Sequence, residues 1–315
     1  MKTLLQRTIK DKEVNLYPVW LMRQAGRYMP EYMAIKHDSN GFLDMALTPR
    51  KAAEITMQPI RVFDMDAAII FSDILIVNYA LGQELDYTPA PILGPFKNEF
   101  FDVSLCDFIT KCEPVYEAIR LVRAELDSTK SLIGFAAAPY TICKYMCGEK
   151  NLGVVRNLVP YIVAHLIKQI EAGCDTIQLF DSHAGDISDD EFSEFVITPT
   201  KQIVDVIRSR YPDVCIIAFP RLVGKKINSY IETVNADAVN ISDDIEVDDI
   251  CGDVLQGGIT VKSLLDREDI TPMLSKMKGK AYIVNLAHGI DKHTPVEHVT
   301  NFVNTVKAYR GNLDT

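Results

Sequence analysis

Two arginines four residues apart, Arg23 and Arg27, stand where an apolar run (Val19-Trp20-Leu21-Met22) gives way to a polar loop, with Gly26 between them. Guanidiniums held this close repel unless an anion lies between them, and each offers a planar fork of donors matched to a carboxylate or phosphate. Gly26 permits a backbone shape that a side chain would resist, so both arginines can be aimed inward. Taken alone, the pair has an ordinary alternative: a strand end carrying two solvated cations. Other polar residues follow short apolar runs in the same way. They are Phe71-Ser72-Asp73, Pro139-Tyr140-Thr141 with Lys144 and Tyr145 just beyond, Asp181-Ser182-His183, and His288-Gly289. Each singly could cap a helix, bond to backbone or pack in a core. No G-x-S-x-G nucleophile elbow, H-E-x-x-H or phosphate-cradling G-x-x-x-x-G-K-[ST] occurs.

The elements that carry these residues recur regularly. Eight apolar runs read as strands: Val19–Met22, Ala67–Phe71, Ser131–Ala136, Thr176–Phe180, Val214–Phe219, Ala238–Ile241, Val254–Gly257 and Ala281–Leu286. Several are apolar on consecutive residues, as strands covered on both faces are. Between them lie helical patterns. One opens at Thr48-Pro49, read as a cap followed by proline at the first helical position. Others run over Phe108–Leu126 (interrupted by Pro114), Gly153–Ala172, Ser188–Arg210, Val223–Val234, Ser263–Met277 and Thr294–Tyr309. Tyr79–Phe100, rich in Pro and Gly, reads as an excursion with a hairpin. Eight alternations with no break in composition predict a single (β/α)8 TIM barrel over residues 1–315, with its active site at the C-terminal ends of the strands. The alternative, a doubly wound open sheet, lacks the G-x-G-x-x-G expected after its first strand.

Composition bounds the partners. A net charge of −10 leaves no basic stripe for nucleic acid, and an anionic substrate would need a local cluster of arginines. Seven scattered cysteines, with no C-x-x-C, predict reduced thiols in a cytoplasmic protein rather than disulfides or a metal site. The N-terminus lacks the apolar core of a signal peptide, and Ala67–Leu81 is too broken by Ser72, Asp73 and Asn78 to span a membrane. The acidic run Asp243, Asp244, Glu246, Asp248, Asp249 reads as a solvated helix start.

The blocks MRQAGRYMPEY, AAIIFSDIL, PYTICKYM, QLFDSHAG and NLAHGI, in this order, resemble those of the uroporphyrinogen decarboxylase family from Pro18 to Val299. The resemblance implies a (β/α)8 barrel, a homodimer, no cofactor, and conversion of uroporphyrinogen to coproporphyrinogen by loss of four acetate carboxylates. It implies that Asp73 sits at the centre of the macrocycle, that Arg23 and Arg27 anchor substrate carboxylates, and that His288 contacts a propionate or acetate; of the two arginines, Arg23 is read as the one at the reacting acetate. Arg27, Phe71, Tyr145, Ser182 and His288 are then substrate-binding. The chain departs from the family pattern at Met33 and Lys36, where arginines are expected, at Ala287 before His288, in QGGIT, and at Ser242 in place of Asp. Two alternatives stand beside this reading. One is a zinc or corrinoid methyltransferase on the same barrel, which would need closely spaced His and Cys. The other is an inactive tetrapyrrole-binding paralogue.

Overall fold

The computed structural model describes residues 1–87, 90–243 and 245–313; Thr88 and Pro89 of the excursion and Asp244 of the acidic run lie outside them. Its strands are β1 (Ala67–Ile69), β2 (Leu85–Tyr87), β3 (Pro91–Leu93), β4 (Ser131–Ala137), β5 (Thr176–Asp181), β6 (Cys215–Pro220), β7 (Ala238–Ile241), β8 (Val254–Gly257) and β9 (Ala281–Ile283). All but β2 and β3 form one parallel sheet in the order β1-β4-β5-β6-β7-β8-β9. The first predicted strand closes it. Val19 pairs in parallel with Val284 beyond β9, while Asp66 N–H before β1 donates to the Val19 carbonyl at 2.9 Å. The sheet is therefore a barrel and not an open sheet.

Val19–Met22 is shorter as a strand than expected and makes a single bridge. Left-handed backbone at Tyr17 (φ 43°) and Arg23 (φ 60°) turns the chain at both ends of this stave. Its register is held by Asp66, whose carboxylate accepts from Val19 N–H at 2.8 Å and from Arg310 at 3.2 Å.

Successive strand residues are buried because two cores meet the sheet. The barrel interior holds Trp20, Met22, Ala67, Ile133, Cys215, Ile217, Phe219, Ala238, Val254, Ala281 and Ile283, with Leu5 and Ile9 from the N-terminal helix Leu4–Lys10 packed against them. A larger core fills the layer between strands and helices. Inside the barrel, Trp20 Nε1 donates to Gln256 Oε1 at 3.0 Å, and Gln256 Nε2 donates to Gln178 and Asn240 at 3.0 Å each, which satisfies Gln256 while Gln178 Nε2 is left without a partner. Phe180 meets Phe135 and Phe219 edge to face, with centroids 5.5 Å apart in both pairs.

Several helices differ from the sequence reading. Pro49–Phe63 starts where expected, but the Thr48 hydroxyl bonds to Asp44 and leaves the helix N-terminus without a side-chain cap. Leu105–Glu125 runs straight through Pro114, because the buried face of Phe108, Cys112, Val115, Ile119 and Val122 outweighs one missing hydrogen bond. Asp189–Phe192 passes through a π turn, Ser193–Ile197, into Thr198–Arg210, where Pro199 has no N–H to continue the regular ladder. The predicted helix 263–277 is two, Val261–Leu265 and Thr271–Lys276, with Pro272 opening the second. The excursion does contain a hairpin, β2 against β3, although Tyr79 belongs to the helix Ile76–Ala80. No helix among the described residues is long and apolar enough to cross a membrane.

Candidate active site

Arg23, Asp73, Tyr145, Ser182 and His288 all follow strand ends or loops on one face of the barrel. The turn that presents the arginines is built by Gln24: its carbonyl side chain accepts from Leu21 N–H at 3.1 Å and its amide donates to Ala67 O at 3.1 Å, fastening the loop to β1. Tyr28 donates to the Gln24 carbonyl from below. Gly26 was expected to supply the unusual backbone, yet its φ is ordinary. The left-handed residue is Arg23 itself. Gly26 serves by close approach, since a β-carbon there would lie 3.2 Å from Arg23 O. Both guanidiniums are exposed, and neither has a carboxylate within ion-pair distance among the described residues.

Asp73 turns off the end of β1, and its carboxylate accepts from Leu75 N–H at 2.7 Å, an Asx turn that fixes the side chain. Part of the residue stays open to the cleft while the carboxyl itself lies deep. Desolvation raises its pKa, against the Leu75 N–H, the Tyr87 hydroxyl and the positive field of Arg23. Burial thus opposes the ionised state that a carboxylate at the centre of a site needs, and those three groups restrain the shift.

His288 sits beyond β9, next to Gly289, which packs on the Arg23 side chain. Desolvation, together with the charges of Arg23 and Arg221, pushes it down to about 4, so its imidazole is neutral at pH 7. Tyr145, on the helix Pro139–Cys147, packs edge to face on His183 with centroids 5.2 Å apart. Ser182 is half-buried between His183 and Asp181. The bend around it is held by Thr141, which donates to Asp181 Oδ1 at 2.6 Å and accepts from His183 N–H at 3.1 Å. Burial, with Asp186 adding to it and Thr141 opposing, pushes Asp181 up to about 7, and its Oδ2 has no partner. Phe71 forms an aromatic wall with Tyr32 (5.8 Å), Phe42 (5.3 Å) and, beyond Phe42, Tyr87 (4.6 Å). Arg27 lies at the rim close enough for its charge to act on Tyr32. The arrangement offers unpaired cations to carboxylates, one buried carboxylate to cationic or N–H-rich matter, and apolar rings to a flat body.

A model of the family described as uroporphyrinogen decarboxylase (URO-D) matches residues 1–309. The chain belongs to that family. It is 38% identical to the uroporphyrinogen decarboxylase of Rickettsia bellii, covering 98% of this chain and 99% of that one. It is 36% identical to that of Erythrobacter litoralis, covering 98% and 100%. Among solved structures, a methyltransferase from Methanosarcina mazei superposes with a TM-score of 0.78 over the whole of both chains at 15% identity, a likeness of fold. Among the described residues no three His, Cys, Asp or Glu side chains are gathered as a metal ion would need.

Sequence reasoning passed over three residues of this face. Tyr87 comes from the hairpin, where no strand-end pattern marks it. Its buried hydroxyl points at Asp73 without closing a well-formed hydrogen bond. Phe180, half-buried near the C-terminal end of β5, packs edge to face on Phe135 and Phe219. Arg221 directly follows β6 and was visible as another polar residue at a strand end. A cavity of about 420 Å³ elsewhere, among Ile9, Lys10, Ala236, Asp237 and Asp253, shares no residue with this face.

Proposed function

We infer that this protein is a carboxy-lyase, a uroporphyrinogen decarboxylase that removes the carboxylates of four acetate side chains to give coproporphyrinogen and four CO2. Supporting the reading at individual residues is Arg23, a guanidinium without a counter-ion among the described residues whose stem packs on Gly289 beside His288 and whose charge acts on both the Asp73 carboxyl and the neutral His288 imidazole.

In the reaction so assigned, the pyrrole bearing the acetate is protonated at its α-carbon and becomes cationic. The bond to the carboxylate then breaks, and its electron pair flows into the ring, leaving CO2 and an exocyclic methylene. A proton adds to that methylene carbon and the α-proton leaves, so the acetate has become a methyl group. Asp73, ionised, accepts the pyrrole N–H groups and stabilises the ring as positive charge develops, in a site whose aromatic wall excludes water. Arg23 orients the reacting carboxylate. A guanidinium is too weak an acid at neutral pH (pKa above ~12) to be asked for a proton. Arg27, Phe71, Tyr145, Ser182 and His288 bind the remaining side chains and rings. The protein acts as one catalytic domain and as a homodimer in the cytoplasm, with which its seven free thiols agree.

Anaerobic incubation with uroporphyrinogen, followed by oxidation and chromatography of the products, tests the assignment. Stepwise appearance of porphyrins with seven down to four carboxylates is expected. Binding of the substrate with no CO2 released would favour the non-catalytic paralogue. Sedimentation velocity tests the dimer.

A further inference from the structure

We propose that Arg221 is a substrate-binding residue, receiving together with His288 a propionate of the tetrapyrrole that is kept through all four decarboxylations. The proposal rests on the function assigned above and adds to it a residue and the group that the residue takes.

Arg221 is the first residue after β6, and its backbone is held on three sides. Its N–H donates to Asp181 O at 3.1 Å, which sets it beside the Ser182 bend. The next N–H, of Leu222, donates to Ser242 Oγ at 3.2 Å, across to the end of β7. Leu222 itself is left-handed (φ 56°), and Gly185 packs so tightly under the turn that a β-carbon there would lie 2.3 Å from Leu222 O and 3.0 Å from Arg221 O. A non-glycine residue held at positive φ over a glycine is a strained, specified turn.

What that turn presents is a half-buried guanidinium with no carboxylate within ion-pair distance among the described residues. Most of the chain's arginines are paired: Arg7, Arg61, Arg120, Arg123, Arg156, Arg208 and Arg310 all meet an acid. The other arginines without an acid among the described residues, Arg23, Arg27, Arg50, Arg210 and Arg267, are exposed, so Arg221 is the half-buried one of the six. A partly desolvated cation in a protein of net charge −10 is left without a counter-ion where a ligand is to supply it.

Its place relative to the others selects the ligand group. The charge of Arg23 acts on both Asp73 and His288, whereas Arg221 acts on His288 and is not among the groups that act on Asp73. The barrel order agrees: Arg23 ends the stave that adjoins β1, whose loop carries Asp73, whereas Arg221 follows β6, three strands round the sheet from β1, so Arg221 lies farther from Asp73 than Arg23 does. A side chain one methylene longer than the reacting acetate, and never consumed, suits that distance. Ser242 has a part in this. It holds the Leu222 N–H through a neutral oxygen, while an aspartate there would hold the same N–H and place a negative charge beside the guanidinium.

The test uses the full-length protein and two probes, uroporphyrin with eight carboxylates and coproporphyrin with four, whose binding is read by fluorescence, alongside anaerobic turnover of uroporphyrinogen. Arg221→Gln is expected to weaken both porphyrins about tenfold, the loss of one charge-assisted contact, and to raise KM similarly with kcat within about twofold. Arg221→Lys should recover much of the loss. Ser242→Asp, which leaves Arg221 in place, should weaken both probes in the same direction. Unchanged binding of both probes in Arg221→Gln and Ser242→Asp would overturn the proposal. So would weakened binding of uroporphyrin alone, because the contact would then be to an acetate. A wild-type protein that neither binds uroporphyrin nor consumes uroporphyrinogen would instead overturn the function on which the proposal rests.

Discussion

Gly289 lies flat against the stem of Arg23: a β-carbon at Gly289 would fall 2.5 Å from Arg23 Cδ and 2.7 Å from Cγ. The contact falls on the middle of the Arg23 side chain, so relieving it must displace the guanidinium beyond. The two residues come from opposite ends of the chain and meet because Ile290 N–H donates to Met22 O at 2.9 Å, tying the last strand's loop to the first. Gly289→Ala should therefore act on catalysis through Arg23. We expect kcat/KM for uroporphyrinogen to fall at least about tenfold, with the larger part in kcat, and the thermal midpoint to move by no more than a few degrees. Equal activity in the alanine variant would mean that the placement of Arg23 does not matter to the reaction.

Asp73 and Tyr87 form the next test. Asp73→Asn keeps the size and loses the charge, and removing a preorganised group of this kind costs about 10²–10³ in rate. Tyr87→Phe removes one hydroxyl that helps hold the Asp73 pKa down, so the acid limb of the kcat/KM profile should move to higher pH while the plateau changes little. Steady-state profiles of wild type and both variants decide this. A wild-type rate in Asp73→Asn would remove the carboxylate from the mechanism.

The two arginines divide the work unequally if Arg23 orients the reacting group and Arg27 binds at the rim. Lysine keeps the charge and loses the planar fork. Arg23→Lys should lower kcat, and Arg27→Lys should chiefly raise KM. Inverted kinetic signatures would exchange the two roles.

Much of this was legible in the sequence, for identifiable reasons. Strands buried on both faces write themselves as unbroken apolar runs, which is why β7 and β8 fall on the residues expected. Strand ends then point to Asp73, Ser182 and His288. Asp181 looked like one more strand-end polar residue, but its distinctive feature, an unpartnered Oδ2, depends on the tertiary contact with Thr141 and could not be read locally. Tyr87 was hidden because a hairpin outside the barrel alternation carries it back over the cleft. Gly26 was misjudged since positive φ has no sequence mark when an arginine adopts it. Thr48 and Pro114 show the weakness of single-residue signals against burial.

Asp181 predicts a stability that falls toward alkaline pH. Its folded pKa, about 7, stands above the usual carboxylate value, so the folded state holds the proton more tightly than the unfolded chain. Its contribution is full below the unfolded pKa of about 3.9 and is lost as pH rises through 7. Between pH 5 and 8 that loss is roughly 2–3 kcal/mol. Asp181→Asn keeps an acceptor for Thr141 and has nothing to titrate. Urea unfolding at the two pH values should show the loss in wild type and its near absence in the variant. Parallel pH dependences would mean that the carboxyl is hydrated or otherwise relieved.

His165 predicts the opposite limb. It is fully buried in the helix Leu152–Ala172, its Nδ1 lies 2.9 Å from the Tyr116 hydroxyl, and desolvation pushes it down to about 3. The folded state therefore binds fewer protons than the unfolded one between about pH 3 and 6.5, and stability rises with pH across that window. From pH 7 to pH 5 this one group should remove about 2 kcal/mol, because the unfolded imidazole takes up a proton that the folded one refuses. His165→Asn places an amide near Nδ1 for Tyr116 to meet. It will be less stable at every pH, since a ring has been removed from a close-packed layer. The informative quantity is the difference between the two pH values, which should shrink by about 2 kcal/mol relative to wild type. If the difference persists unchanged, the acid sensitivity of this barrel arises elsewhere, and the half-buried His288 is the next group to replace.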